Sequence, residues 1–77
     1  MTDAFVHVIA EPSAITETAS AIADREHVKD VHLVTGEHDI VAQLELETKD
    51  EIAEVVTKEI HSASGVVETV TNVAFEL

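Results

Sequence analysis

The chain is 77 residues long, which is room for one domain, residues 1–77, and no second. It contains no cysteine, so neither disulfides nor thiolate metal sites can staple it. Sixteen Asp and Glu against four scattered cations, Arg25, Lys29, Lys49 and Lys58, give a formal charge of −12 and disfavour direct contact with nucleic acid or an anionic membrane.

The first β-rich segment runs from Ala4 to Ala10. Both its alternating sets, Ala4, Val6, Val8, Ala10 and Phe5, His7, Ile9, are largely apolar, as in a strand covered on two faces. Glu11-Pro12-Ser13 breaks it, since Pro12 fixes φ, and Ser13 stands where a helix N-cap is expected. From Ala14 to Asp24 the period lengthens to that of a helix. Ile15, Ala19, Ile22 and Ala23 share its apolar stripe, with Glu17, Thr18, Ala21 and Asp24 elsewhere.

Val28 to Thr35 returns to alternation, Val31 and Leu33 on one side and His32 and Val34 on the other. Gly36-Glu37-His38-Asp39 reads as a hairpin turn in which Gly36 supplies backbone freedom. Ile40, Ala42, Leu44 and Leu46 then alternate with Val41, Gln43, Glu45 and Glu47, giving a strand with one wholly apolar face. Thr48-Lys49-Asp50-Glu51 has the spacing of a capping box. Ile52, Val55, Val56, Glu59 and Ile60 form a helical stripe, apolar except at Glu59. Gly65 ends the connection, and 66–77 is β-rich, its more apolar register being Val67, Thr69, Thr71, Val73, Phe75 and Leu77.

The order strand, helix, strand, strand, helix, strand predicts a ferredoxin-like α+β sandwich, βαββαβ, with a four-stranded antiparallel sheet and both helices on one face. The opposite face is left without cover. It would carry Phe5, His7 and Ile9, then His32 and Val34, then Val41, Gln43 and Glu45. Ordering the chain costs roughly 1.5 kcal/mol per residue, which burial in so small a core barely exceeds. A second copy stacked on the open face is the simplest remedy, so a homo-dimer with Phe5, His7, Ile9, His32, Val34, Val41 and Gln43 at its interface is expected.

The acids are spread along the chain rather than blocked together. That fits solubility in a salty, halophilic cytoplasm better than a docking site for one basic partner. No apolar run approaches the ~18 residues of a membrane span. Asp3 stands where a signal peptide would be basic, so a cytoplasmic protein is expected.

Five histidines, His7, His27, His32, His38 and His61, show no strong ligand spacing, so no metal and no cofactor is expected; His27, His32 and His38 straddle one hairpin, which leaves a chance divalent site as an alternative, and interface histidines are the simpler reading. Ser13, Ser20, Ser62 and Ser64 lie at helix ends or within a helix, and no nucleophile motif or glycine-rich phosphate loop occurs, so no catalytic residue is assigned. At the hairpin, Gly36 would let a ligand approach backbone amides, Thr35, Thr69 and Thr71 offer hydroxyls, and Asp39 could meet an ammonium. Turn chemistry alone also accounts for Gly36 and Asp39.

Gly36-Glu37-His38-Asp39 followed by Ile40-Val41-Ala42 resembles the effector-binding (RAM) domain of the Lrp/AsnC transcription regulators. Ala4-Phe5-Val6, Val31-His32-Leu33-Val34-Thr35-Gly36, Gly65-Val66-Val67 and Thr69-Val70-Thr71 extend the likeness over nearly the whole chain. The resemblance implies dimers formed through the sheets and further assembly toward tetramers or octamers. It also implies an amino acid or related metabolite held at sites built around the Gly-x-x-Asp hairpin, here Thr35, Gly36, Glu37, His38 and Asp39 with Thr69 and Thr71. His38 departs from the family, where an aromatic or apolar residue is common.

In full regulators of that family a helix-turn-helix precedes this domain. The expectation is therefore an effector-binding and oligomerisation module of transcription regulation without its own DNA-binding domain, which could assemble with full-length relatives. Two other readings stay open: a pure assembly adaptor, and a small dimeric α+β-barrel enzyme.

Overall fold

Strand β1 (Thr2–Ala10) lies inside the sheet of the computed structural model, which describes residues 2–75 and 77. It is flanked by β3 (Ile40–Leu46) on one side and β4 (Val66–Ala74) on the other, and β2 (Val28–Leu33) forms the edge beyond β3. All three pairings are antiparallel. Cover on two faces, which the sequence suggested for β1, is found on one only: Ala4, Val6, Val8 and Ala10 are buried, whereas Phe5, His7 and Ile9 are half-buried on the reverse.

The alternation places Ala4, Val6 and Val8 opposite Leu44, Ala42 and Ile40, and all six have no exposed surface. Over them lie Ile22 of α1 (Ile15–Ala23) and Val55, Val56 and Ile60 of the second helical segment. Each such aliphatic side chain stabilises the fold by about 1.5–3 kcal/mol on burial.

The stretch before α1 differs from the expectation. Pro12–Ala14 forms a single 3-10 turn, with Glu11 and Ala14 at the two cap positions, so Ser13 lies inside the turn and caps nothing. The buried stripe also rotates: Ala23 is exposed, while Thr18 is buried. Residues 15, 18, 19 and 22 keep helical spacing, and the Thr18 hydroxyl tolerates burial because it donates to the Ser64 carbonyl at 2.7 Å.

β2 stops two residues short of Thr35. Its register shifts between Val28 and Asp30, and the Val34 amide leaves the ladder to donate to the Asp39 carbonyl at 2.9 Å. The hairpin is therefore a wider loop than Gly36–Asp39 alone. Gly36 takes φ +119°, in the region that favours glycine, with open space around it.

After β3, Glu51 reaches back to the amides of Glu47 and Thr48 at 2.9 and 3.1 Å, as a capping box requires. The helix it opens is not uniform. A 3-10 turn, Lys49–Glu51, leads into α2 (Ile52–Val55), which widens into a π-helical turn over Val56–Ile60. The His61 amide closes that turn on the Val56 carbonyl at 2.9 Å.

β4 settles the ambiguous register. Thr69, Thr71 and Val73 pair with Val8, Val6 and Ala4 and so share the helix-covered face, while Phe75 lies beyond the strand, exposed. Gly65, at φ +91°, lies against α1: a Cβ there would overlap the Thr18 hydroxyl.

Candidate functional site

Two sets of polar residues stand apart from the core. The first is the 34–39 loop. Asp39 ties it to the end of β1: its amide donates to the Val8 carbonyl at 2.9 Å, and its Oδ2 accepts from the Ala10 amide at 3.0 Å. The carboxylate thereby satisfies a donor where the β1–β4 register shifts between Ile9 and Ala10. Thr35, Gly36 and Glu37 are exposed, and His38 is half-buried with its ring centroid 5.3 Å from that of His7.

The other two proposed ligand contacts lie across β1, on β4. Thr69 meets the His61 Nε2 at 2.7 Å through its hydroxyl, and Thr71 pairs with Val6. One copy of the chain therefore brings Thr35 to Asp39 together on one side of β1 and Thr69 and Thr71 on the other.

The open sheet face has cross-strand rows. His32, Val41, His7 and Val70 run across all four strands, and Gln43, Phe5 and Asn72 form the next row. Phe5, His7, Ile9, Val41 and Gln43 are half-buried, His32 is exposed, and Val34 falls outside β2 and is also exposed.

The second set was not singled out from the sequence. Glu59, in the π-helical turn, accepts from the His27 amide through Oε1 at 3.0 Å, and its Oε2 lies 2.5 Å from His27 Nδ1. Arg25 Nε donates to the Glu59 carbonyl at 3.1 Å. The hydrogen bond to Glu59 raises the His27 pKa above the usual 6.5; partial burial opposes it, and the charges of Glu59, Glu26 and Glu51 reinforce it. The Glu26 carboxylate is 3.7 Å from the same Nδ1. A cleft of about 240 Å³ opens here, lined by Glu26, His27, Glu51, Glu54, Val55, Lys58 and Glu59. The available signal was Glu59 itself, an acid on an otherwise apolar helical stripe.

Among the described residues no helix is long and apolar enough to cross a membrane. The fold matches solved structures closely. A Thermus thermophilus protein superposes with a TM-score of 0.92 at 36% identity, covering 100% of this chain and 96% of that one. Escherichia coli AsnC superposes at 0.88, with 14% identity, over 99% of this chain and 52% of its own. An uncharacterized HTH-type transcriptional regulator of Pyrococcus furiosus is 36% identical over 77 residues, 96% of this chain and 51% of its own length. One from Pyrococcus horikoshii matches to the same extent. The chain thus spans about half the length of the curated relatives it matches. The model of the Lrp/AsnC ligand binding domain matches residues 3–77. With the βαββαβ order, the sheet and nearly every residue accounted for by that match, the chain belongs to the Lrp/AsnC ligand-binding domain family of transcriptional regulators.

Proposed function

We propose that this chain acts as one domain that binds a small effector and assembles with copies of itself in transcriptional regulation, in the cytoplasm and without catalysis. The observation that carries the reading is the contrast within one sheet. Ala4 to Ala10 and Ile40 to Leu46 are sealed on the helix side, while no layer among the described residues lies over Phe5, His7, Ile9 and Val41 on the reverse. A second copy on that face buries them and forms a homo-dimer, from which tetramers or octamers can grow.

The effector is an amino acid or related metabolite. Its site is the seam between dimers, which unites one chain's Thr35, Gly36, Glu37, His38 and Asp39 with Thr69 and Thr71 of another. Support comes from the loop's open glycine and from a protein of the same fold: a Neisseria meningitidis transcriptional regulator, 19% identical, was solved in complex with L-Met. With 16 acids against four scattered cations, the described surface does not itself grip phosphates. Mixed assembly with full-length relatives would couple the domain to DNA.

Light scattering in molar salt, with and without each amino acid, tests assembly. Thermal shift under the same conditions tests binding, because a ligand at 100 times its Kd stabilises by about 2.7 kcal/mol. Gly36→Val and Asp39→Asn should abolish that shift, the Asn retaining an acceptor for the Ala10 amide. A monomer with every amino acid present would defeat the proposal. One observation favours a pure assembly adaptor: the Asp39 carboxylate is already engaged within the chain. Oligomerisation without any amino-acid shift is that reading's signature.

A further inference from the structure

The cleft between the start of β2 and the second helical segment is separate from the hairpin and the open sheet face, and it holds the one mixed nitrogen and carboxylate donor set found among the described residues. The ligand atoms of Glu26, His27 and Glu59 all lie within 4.8 Å of one another. We propose that Glu26, His27 and Glu59 form a binding site for a divalent zinc-class cation that clamps the loop before β2 to the π-helical turn.

Zinc is four-coordinate with nitrogen and oxygen ligands at about 2.0–2.2 Å, which sets neighbouring ligands about 3.3 Å apart. His27 Nδ1 stands 2.5 Å from Glu59 Oε2 and 3.7 Å from Glu26 Oε2. Reaching coordination geometry therefore needs the first pair to part, and the second to close, by less than about 1 Å each, within the range of side-chain rotation. The backbone is already arranged for this. The His27 amide holds Glu59 Oε1, which leaves Oε2 directed at the ring.

The widened turn adds a second line of support. It closes the second helical segment and carries Glu59, which fixes that ligand at the helix end opposite the loop that bears His27. Its backbone is pinned by Arg25 on the Glu59 carbonyl, so the ligand's helix and the ligand's loop are cross-braced before any ion arrives. The adjoining cleft leaves room for a fourth, non-protein ligand. Charge favours occupancy as well: Glu51 and Glu54 line the same cleft, and its one cation, Lys58, already pairs with Glu54 at 3.1 Å. A nitrogen donor with carboxylates selects zinc over magnesium, which prefers an all-oxygen octahedral shell.

The test uses the full chain stripped of metal, titrated with ZnCl₂ and separately with MgCl₂ at matched ionic strength. Calorimetry reads affinity, and imidazole NMR resonances report which histidine is engaged. Zinc should bind at one ion per chain with the His27 resonance perturbed, and magnesium should act only as salt. Glu26→Gln leaves the His27–Glu59 pair in place and should weaken zinc by more than about tenfold, since even partners outside the coordination shell contribute 10–100-fold. His27→Gln should abolish binding. Zinc binding that survives His27→Gln, or that perturbs His7 and His38 instead, overturns the proposal, as does the absence of binding in a folded protein.

Discussion

The two faces of the sheet are made of the same strands, yet they differ in almost every physical respect. On the helix side, Ala4 to Ala10 of β1 and Ile40 to Leu46 of β3 present only Ala, Val, Leu and Ile, sealed to a few per cent exposure or less. On the reverse they present Phe5, His7 and Ile9 beside Val41, Gln43 and Glu45, all half-buried. One face is closed by covalent continuity, because the helices that cover it are tethered on short connections. The other carries no helix among the described residues. The difference separates residues that specify the fold from residues whose proposed role is assembly.

Truncations on the two faces should give the widest gap. Leu44→Ala on the sealed side should cost about 2–5 kcal/mol of stability. Gln43→Ala, its neighbour on the open side, should cost less than about 1 kcal/mol in the isolated chain. Urea unfolding at low protein concentration measures both, and equal losses would erase the contrast.

The two glycines repeat it on a smaller scale. Gly65→Ala should lose about 2–4 kcal/mol, since a left-handed backbone and an overlap with the Thr18 hydroxyl combine. Gly36→Ala meets open space and should lose only about 1 kcal/mol, from its backbone alone. Denaturation midpoints compare them directly.

On the open face, Val41→Asp should leave secondary structure intact while raising the dimer dissociation constant at least about tenfold, equivalent to about 1.4 kcal/mol. Sedimentation at several concentrations checks this. A variant that keeps its mass would break the proposed role of that face.

The smallest expected effect is the pH dependence of the His27–Glu59 pair. The ring's pKa is raised in the folded chain, so its stabilisation is fully present below the ordinary histidine value of 6.5 and fades as pH climbs through the raised one. Glu59 and Glu51 face it from the second helical segment, Glu26 from its own loop, and Glu45 and Glu47 across the neighbouring cleft; Arg25 and Lys58 are the cations nearby. In chelator-containing buffer, the Tm advantage of the native chain over His27→Gln should shrink by a few degrees from pH 6 to pH 9. A constant difference would show that the pair does not titrate across this range.

Much of the fold was legible because its signals are local. The alternation at Ile40–Leu46 needs only the two-residue strand period, and the Thr48–Glu51 capping box needs only four consecutive residues. Ser13 misled because capping preference is a local statistic, whereas Pro12 started a 3-10 turn one residue earlier. Thr18 misled because its polarity suggested exposure, and its partner, the Ser64 carbonyl, lies 46 residues away in the chain.

The site divides along the same line. The hairpin residues Gly36 and Asp39 stood out by their turn chemistry, but the use of Asp39 by the Ala10 amide spans 29 residues. His27 and Glu59 are 32 residues apart and share no motif spacing, so nothing in the linear order joined them.

Hydrophobic period, turn residues and charge, all carried by near neighbours, were enough to determine the element order, the sealed strand face and the acidic surface. The β4 register, the widening of the second helix and the meeting of Glu26, His27 and Glu59 were decided only in three dimensions. Each depends on which distant groups satisfy one another's hydrogen bonds once the helices settle on the sheet, and no periodicity encodes that choice.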